Sequence, residues 1–246
     1  MATALATAAA PAASAQTPPP RVFTHADTLR GGNGPGRAWW DAEFYDLHVR
    51  VNSADSSISG HNAITYKVLQ PATQMQIDLQ MPLEVDSIVQ QSARLQYRRD
   101  GNAFFVTLPA AAQAGDRGVV TVWYHGNWRR APGDTATRRR NAGPVHWSVD
   151  SAGAPWIATS NEGPGASTWW PLKDLPADEP DSQRIAVTVP DPMIDVSNGR
   201  LRSITKNTDG TTTFEWFVAN PLNTYDVAIN ASRAYVPVRD EYTGEK

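Results

Sequence analysis

Apolar and polar residues alternate along most of this chain, and that alternation is typical of strands with one buried face. In residues 45–51, Tyr, Leu, Val and Val alternate with Asp, His and Arg. The same period of two predicts further strands at 64–68, 75–79, 94–99, 103–108, 119–125, 156–159, 184–189, 211–218 and 225–231. About a dozen short strands with little helical periodicity predict an all-β fold. We expect a large antiparallel β-sandwich with a saddle-like main sheet.

The first residues differ in composition from the rest of the chain. Residues 1–15 are mostly Ala, Thr, Pro and Ser, and they end in Ala13-Ser14-Ala15, which resembles a signal-peptidase site without a basic n-region. A low-complexity tail is the alternative interpretation. Residues 17–37 are rich in Pro and Gly, which favours a linker or a lightly ordered arm. We therefore expect a signal-peptide remnant and disordered arm at 1–37, one β-domain at 38–246, and a periplasmic or secreted location.

Composition excludes several classes of function. The 246 residues are 41% hydrophobic and 19% charged, which permits a packed core. The net charge of −3 lacks the basic excess of a nucleic-acid-binding protein. No apolar run is long enough for a transmembrane segment. Cysteine is absent, which rules out disulfides, thiolate catalysis and zinc bound by Cys.

One segment, 155–201, carries a specific pattern. It contains Gly165-Ala166-Ser167, then Trp169-Trp170, a Pro-x-x-Asp-x-Pro turn at 171–176, Asp178-Glu179-Pro180-Asp181 and Ser197-Asn198-Gly199. These elements resemble the N-terminal β-domain of the aminopeptidase N and leukotriene hydrolase family of zinc metallopeptidases. Together with residues 220–230 they resemble a bacterial branch of that family. The resemblance covers roughly residues 40–240 as a gapped pattern.

This resemblance implies that catalysis and zinc binding belong to a second domain. In the family, that domain supplies Gly-x-Met-Glu-Asn and His-Glu-x-x-His, whose two His bind the metal while the Glu acts as general base. Neither motif is present here, since none of the five His is followed by Glu. We therefore expect no catalytic residue and no metal or other cofactor in this chain. Its expected partners are a C-terminal catalytic domain of the same polypeptide, which holds the zinc, and the N-terminus of a peptide substrate.

The resemblance also implies a substrate-binding role for Glu162. It lies nine positions before Pro171, where the family carries a Gln or Glu that recognises the free α-amino group of the substrate. Ser160 occupies another position where relatives place a substrate-facing residue, and Gly163 and Gly165 would let backbone approach a ligand closely. The alternative is that Glu162 is an exposed acid in a Gly-rich turn.

Three other features have competing interpretations. Trp169 and Trp170 suggest glycan stacking, but one buried Trp and one covering the turn is the better interpretation. The acidic residues of 174–181 suggest calcium, yet turn and capping chemistry is favoured. The Arg residues of 129–140 form either a solvated loop or a docking patch, and solvation is favoured. The alternative function is a free-standing envelope module that binds a glycan or a protein.

Overall fold

The computed structural model describes residues 22–127 and 144–238. Within these ranges the chain forms fifteen strands and little helix. The strands are β1 (Trp40–Asn52), β2 (Ser57–Val68), β3 (Ala72–Asp78), β4 (Glu84–Gln90), β5 (Ala93–Arg94), β6 (Gln96–Asp100), β7 (Ala103–Ala112), β8 (Arg117–Asn127), β9 (Val145–Val149), β10 (Pro155–Thr159), β11 (Ser182–Pro190), β12 (Ile194–Val196), β13 (Arg200–Lys206), β14 (Thr211–Val218) and β15 (Asn230–Ser232). The helical elements are α1 (His25–Leu29) and two 3₁₀ turns, Ala166–Thr168 and Thr224–Asp226.

These strands assemble into three sheets, which confirms the all-β prediction. The large sheet has eight strands in the order β13-β14-β11-β1-β2-β8-β4-β5. A four-stranded sheet has the order β12-β15-β10-β9, and a three-stranded sheet has the order β3-β7-β6. The connection between β10 and β11 therefore runs from the four-stranded sheet to the middle of the large sheet.

One pairing differs from the predicted antiparallel arrangement. Strand β1 pairs in parallel with β11, with Leu47 opposite Ile185, whereas the other pairings among the described strands are antiparallel. A parallel pair needs a long crossover connection, and the many residues between β1 and β11 provide it. Hydrophobic alternation indicates which face of a strand is buried. It does not indicate whether the neighbouring strand runs parallel or antiparallel.

A single hydrophobic core joins the three sheets. In β8, Val120, Val122 and Tyr124 are buried, while Val119 and Trp123 on the opposite face are 46% and 45% exposed. The same core receives side chains from the three-stranded and four-stranded sheets, such as Val106 and Ile157. One face of the large sheet therefore packs against the smaller sheets.

The end of the predicted arm packs against this domain. The N-terminus of α1 is capped by Thr24, and the side chain of Arg37 is buried beside Asp78. Of the arm expected at 1–37, the structure describes residues 22–37, and a long-range ion pair ties this part to β3. The Arg-rich stretch at 129–140 lies outside the described residues. No helix among the described residues is long and apolar enough to cross a membrane.

Candidate functional site

The predicted site residues lie in the connection between β10 and β11. Its second half is part of the core: Trp169 and Trp170 are both fully buried, where the sequence predicted only one buried Trp. The Trp170 ring stands edge-on to Tyr45 of β1, with 5.2 Å between ring centroids. Asn62 of β2 donates a 2.8 Å hydrogen bond to the carbonyl of Pro171. The connection is therefore held against the large sheet by apolar and polar contacts, and neither Trp is available to a glycan.

A buried charge cluster contacts this connection at Asp174. Arg37 Nη2 and Nε lie 2.6 and 3.0 Å from Asp78 Oδ2, and both side chains are almost fully buried. Asp78 Oδ2 also accepts a 3.0 Å hydrogen bond from the backbone N–H of Asp174. Gln76 donates to the other carboxylate oxygen of Asp78 at 2.9 Å. Burial raises the pKa of Asp78, while Arg37 and these hydrogen bonds oppose that shift.

Asp174 transmits this anchoring to the 3₁₀ turn. Its Oδ2 accepts hydrogen bonds from the hydroxyl of Ser167 at 2.5 Å and from the Ser167 backbone N–H at 3.2 Å. Gly165 has a φ of 90°, and a Cβ added there would lie 2.4 Å from Asp174 Oδ2. The sequence analysis interpreted Gly163 and Gly165 as positions where the backbone approaches a ligand closely. At Gly165 the close approach is to the carboxylate of Asp174 instead.

Residues 160–164 form the exposed rim of this loop. Ser160, Glu162 and Gly163 are all exposed, whereas Asn161 between them is buried. The carboxylate of Glu162 makes no hydrogen bond or ion pair to any residue in the described parts of the chain. A Cβ at Gly163 would meet nothing within 4 Å, so the space beside it is open. The structure thus brings the three predicted residues onto one accessible rim.

Backbone contacts hold this rim in place. Gln80 Nε2 donates hydrogen bonds of 2.8 Å to the Pro164 carbonyl and 2.9 Å to the Ser167 hydroxyl. Arg30, just after α1, donates a 2.7 Å hydrogen bond to the carbonyl of Gly163. The backbone N–H of Gly165 donates to the carbonyl of Asn161 at 2.8 Å. The loop therefore presents the unpaired carboxylate of Glu162 on a backbone that is held by hydrogen bonds from Gln80, Arg30 and Gly165.

A cavity of about 280 Å³ separates α1 from the loop. It is lined by residues of α1, by Arg37 and Asp78 of the buried charge cluster, and by Arg30, Asp100 and Asp174. Lys173, adjacent to Asp174 in the sequence, pairs with Asp178 and donates a hydrogen bond to the backbone carbonyl of Trp40. Burial lowers the pKa of Lys173, and Asp178 opposes that shift. As the turn and capping interpretation of this acidic stretch predicts, the carboxylates of Asp174 and Asp178 bind neighbouring protein groups, the Ser167 hydroxyl and the Lys173 ammonium.

Sequence reasoning did not find Arg37, Asp78 or Gln80 as parts of the site. Arg37 and Asp78 are separated by 41 positions, so their pairing leaves no local pattern. Two local signals were available. Arg37 follows directly after a Gly-rich run, and Asp78 lies near the end of the strand predicted at 75–79. Among the described residues, no group of three or more His, Cys, Asp or Glu side chains could hold a metal ion. The side chains of residues 22–127 and 144–238 thus offer no set of ligands that a zinc ion would require.

Comparison with known proteins adds a family and a fold. The family model described as the peptidase M1 N-terminal domain matches residues 41–225. An M1 zinc metallopeptidase from Deinococcus radiodurans is 22% identical with a TM-score of 0.65. A mutant of that enzyme bound to a Tyr-Ser-Ala substrate is 22% identical with a TM-score of 0.64. A two-domain M1 zinc metallopeptidase mutant bound to L-arginine is 23% identical, also with a TM-score of 0.64. No curated protein sequence gives a significant match.

These alignments cover different shares of the two chains compared. Each alignment covers 80% of this chain but only 43% of the solved structure. The chain thus spans less than half the length of the proteins whose fold it shares. At this level of identity the solved structures establish the fold of the matched portion.

Proposed function

The chain belongs to the peptidase M1 N-terminal domain family, and from that premise we propose that it forms one wall of the active-site cleft of a zinc-dependent aminopeptidase. In this proposal Glu162 binds the free α-amino group of a peptide substrate. The observation that carries it is the combination at the rim of the loop. Glu162 is exposed and unpaired among the described residues, while the backbone on both sides of it is anchored.

The chemistry of the two groups is complementary. An α-amino group with a pKa of about 7.7–8.0 is largely protonated at neutral pH. A carboxylate facing it in a partly closed cleft makes a charge-assisted hydrogen bond, which is stronger than a neutral one. Because the loop is anchored by Arg30, Gln80 and Asp174, little conformational freedom is lost when the amine binds. Such a contact selects peptide ends over internal bonds.

The other two predicted residues have smaller roles in this proposal. Ser160 is exposed next to Glu162 and offers a short hydroxyl for a hydrogen bond to the substrate. The Gly163 carbonyl already accepts from Arg30, so its contribution is the open space that a side chain would fill.

The remaining machinery belongs to a partner domain in this proposal. A C-terminal catalytic domain of the same polypeptide supplies the zinc, which activates the attacking water. Peptides are the substrate class because one solved relative was crystallised with a Tyr-Ser-Ala substrate. The present chain binds and orients the amino terminus and closes one side of the cleft.

The test is hydrolysis of aminoacyl-anilides by the purified 246-residue chain and by a chain extended to the end of the natural reading frame. Zinc is added to both. We expect activity only in the extended protein. In it, Glu162→Gln should lower kcat/KM by about tenfold and Glu162→Ala by up to about a hundredfold, since a hydrogen bond to a charged group contributes about 1.5–3 kcal/mol. Glu179→Gln, in another exposed Glu of the same connection, is the matched control.

Three results would each contradict part of the proposal. Chelator-sensitive turnover by the short chain would mean that a metal site exists within these residues. Equal kcat/KM for Glu162→Ala and the unmodified extended protein would remove the amine-binding role while leaving the cleft-wall role standing. Absence of peptidase activity from the extended protein would favour the alternative, a free-standing envelope module that binds a glycan or a protein.

We also propose that the protein is exported to the periplasm or the medium. The support is the Ala13-Ser14-Ala15 sequence, which resembles a signal-peptidase site. Amino-terminal sequencing of protein expressed in a bacterial host should find Gln16 as the first residue in the periplasmic or secreted fraction. An intact Met1 confined to the cytoplasmic fraction would refute this location.

A further inference from the structure

The N-terminal arm, residues 22–37, lies outside the segment that the family model matches, yet it contacts the β-domain. His25 Nε2 of α1 lies 3.1 Å from both carboxylate oxygens of Asp100, at the end of β6. Gln76 Nε2 of β3 donates a 3.0 Å hydrogen bond to the carbonyl of Leu29, the last residue of α1. Since β3 and β6 belong to the three-stranded sheet, these contacts fix the arm on that sheet.

The arm contacts the rim that carries Glu162 directly. Arg30, the first residue after α1, donates a 2.7 Å hydrogen bond from Nη2 to the carbonyl of Gly163, which lies 133 positions later and directly follows Glu162. The donor carries a charge, and a charged donor makes a stronger hydrogen bond than a neutral one. Gly163 has no side chain that packing could hold. A hydrogen bond to its carbonyl is therefore an effective way to fix this part of the rim.

The arm is also connected to the 3₁₀ turn that follows the rim, through the buried charge cluster. Gln76, which holds the Leu29 carbonyl, donates a second hydrogen bond of 2.9 Å to Asp78. Asp78 in turn accepts a 3.0 Å hydrogen bond from the backbone N–H of Asp174, whose carboxylate binds Ser167 of the turn. The arm therefore reaches the rim directly at one point, and the turn beside it through buried side chains.

We propose that Arg30 is a positioning residue of the substrate site, so that the N-terminal arm acts on the reaction through the rim. This inference rests on the proposed function, in which Glu162 binds the α-amino group of the substrate. Arg30 holds the Gly163 carbonyl and thereby limits the positions that the adjacent carboxylate can take. A rim that is fixed before the substrate binds loses less conformational entropy on binding, so the arm contributes to affinity.

The exposure of Arg30 separates this role from a general contribution to stability. Arg30 and Gly163 both lie at the surface. Surface substitutions that remove no buried group usually change the free energy of unfolding little. Arg30→Ala should therefore fold normally and change substrate binding.

The first experiment measures aminoacyl-anilide hydrolysis by the zinc-loaded chain extended to the end of the natural reading frame. Arg30→Ala should raise KM by about three- to tenfold and change kcat by less than about twofold, because the contact is present in both the bound substrate and the transition state. Arg30→Lys should restore most of the affinity, since a single carbonyl can be held by an ammonium group. Arg117→Ala is the control, because the exposed Arg117 bonds to Glu43 instead of the rim.

A double variant separates this inference from the proposed function. In a Glu162→Ala background, Arg30→Ala should raise KM no further, because the carboxylate that it positions is gone. An equal rise in both backgrounds would refute the inference, since Arg30 would then act independently of Glu162. If Glu162→Ala lowers kcat/KM while Arg30→Ala leaves KM unchanged, the proposed function stands and the role of Arg30 is refuted. If Glu162→Ala has no effect, amine binding fails and this inference fails with it.

Hydrogen exchange in the 246-residue chain tests the same contact without catalysis. The backbone N–H of Gly165 donates to the carbonyl of Asn161 at 2.8 Å, so its exchange reports how often the rim opens. Arg30→Ala should speed exchange in a peptide covering residues 160–165 by about threefold or more, whereas Arg117→Ala should match the unmodified chain. Urea unfolding checks that both variants are folded. Unchanged exchange in folded Arg30→Ala would overturn the proposal.

Discussion

Replacing Arg37 by Met tests whether the buried ion pair under the loop holds the fold together. Met keeps an unbranched apolar side chain but removes the charge. Arg37 and Asp78 have side chains that are 2% and 6% exposed, and three guanidinium hydrogen bonds join Arg37 to Asp78 and to the Gly32 carbonyl. Loss of the guanidinium leaves a buried carboxylate without its counter-ion.

The expected magnitude follows from that burial. Removing one partner of a buried ion pair typically destabilises a protein by about 3–5 kcal/mol. Part of the effect is relieved here, because Asp78 retains hydrogen bonds from Gln76 and from the backbone of Asp174. We therefore expect the lower end, about 3 kcal/mol, in the free energy of unfolding.

Urea unfolding followed by tryptophan fluorescence measures this change. Arg117→Ala is the control, because Arg117 makes hydrogen bonds of 2.8–3.1 Å to Glu43 but is 62% exposed. Exposed ion pairs contribute about 0.2–1 kcal/mol, so the control should change little. The double variant Arg37→Met with Asp78→Leu should recover stability relative to Arg37→Met alone, since no buried charge remains. A loss below about 1 kcal/mol for Arg37→Met, or no recovery in the double variant, would refute this reasoning.

Three further predictions concern stability. Gly165→Ala should cost about 1–3 kcal/mol in urea unfolding, because its φ is 90° and the new Cβ would meet Asp174, whereas Gly163→Ala should be nearly neutral. Trp170→Ala should cost about 3–5 kcal/mol, because the fully buried ring leaves a cavity against Tyr45; a smaller loss would mean that the site collapses. Asp195 of β12 is buried, and burial raises its pKa in the folded protein, so stability should fall as pH rises above the unfolded value of about 3.9, and Asp195→Asn should remove that fall. Parallel pH profiles for the two proteins would contradict the last prediction.

Much of the fold was predictable because strand burial is a local property of the sequence. The alternation in residues 45–51 lies within β1, and its apolar residues Tyr45, Leu47 and Val49 are buried as predicted. The Asp-Gly pair at 100–101 joins β6 to β7, with Gly101 at a φ of 57°. In both cases the residues that determine the structure are adjacent or two positions apart.

The parts that were not predictable depend on contacts between distant residues. No periodicity shows that β11 returns parallel to β1, or that Arg37 reaches Asp78. The burial of both Trp169 and Trp170 also depends on the sheet that covers them. Asp195 lies in a three-residue strand, and its burial beside Trp216 can be recognised only from the folded structure. These features require the fold before they can be recognised.

The exposure of Glu162 determines where its proposed contact with an amine can be strong. Opposite charges in water attract each other weakly, because the solvent screens both of them. A second domain that closes over Glu162 would remove this water and strengthen the same contact. In the proposed function, amine recognition at Glu162 therefore depends on the partner domain. For that reason Glu162→Gln should lower kcat/KM in the extended protein, whereas the 246-residue chain alone should bind a peptide amine only weakly, with or without this substitution.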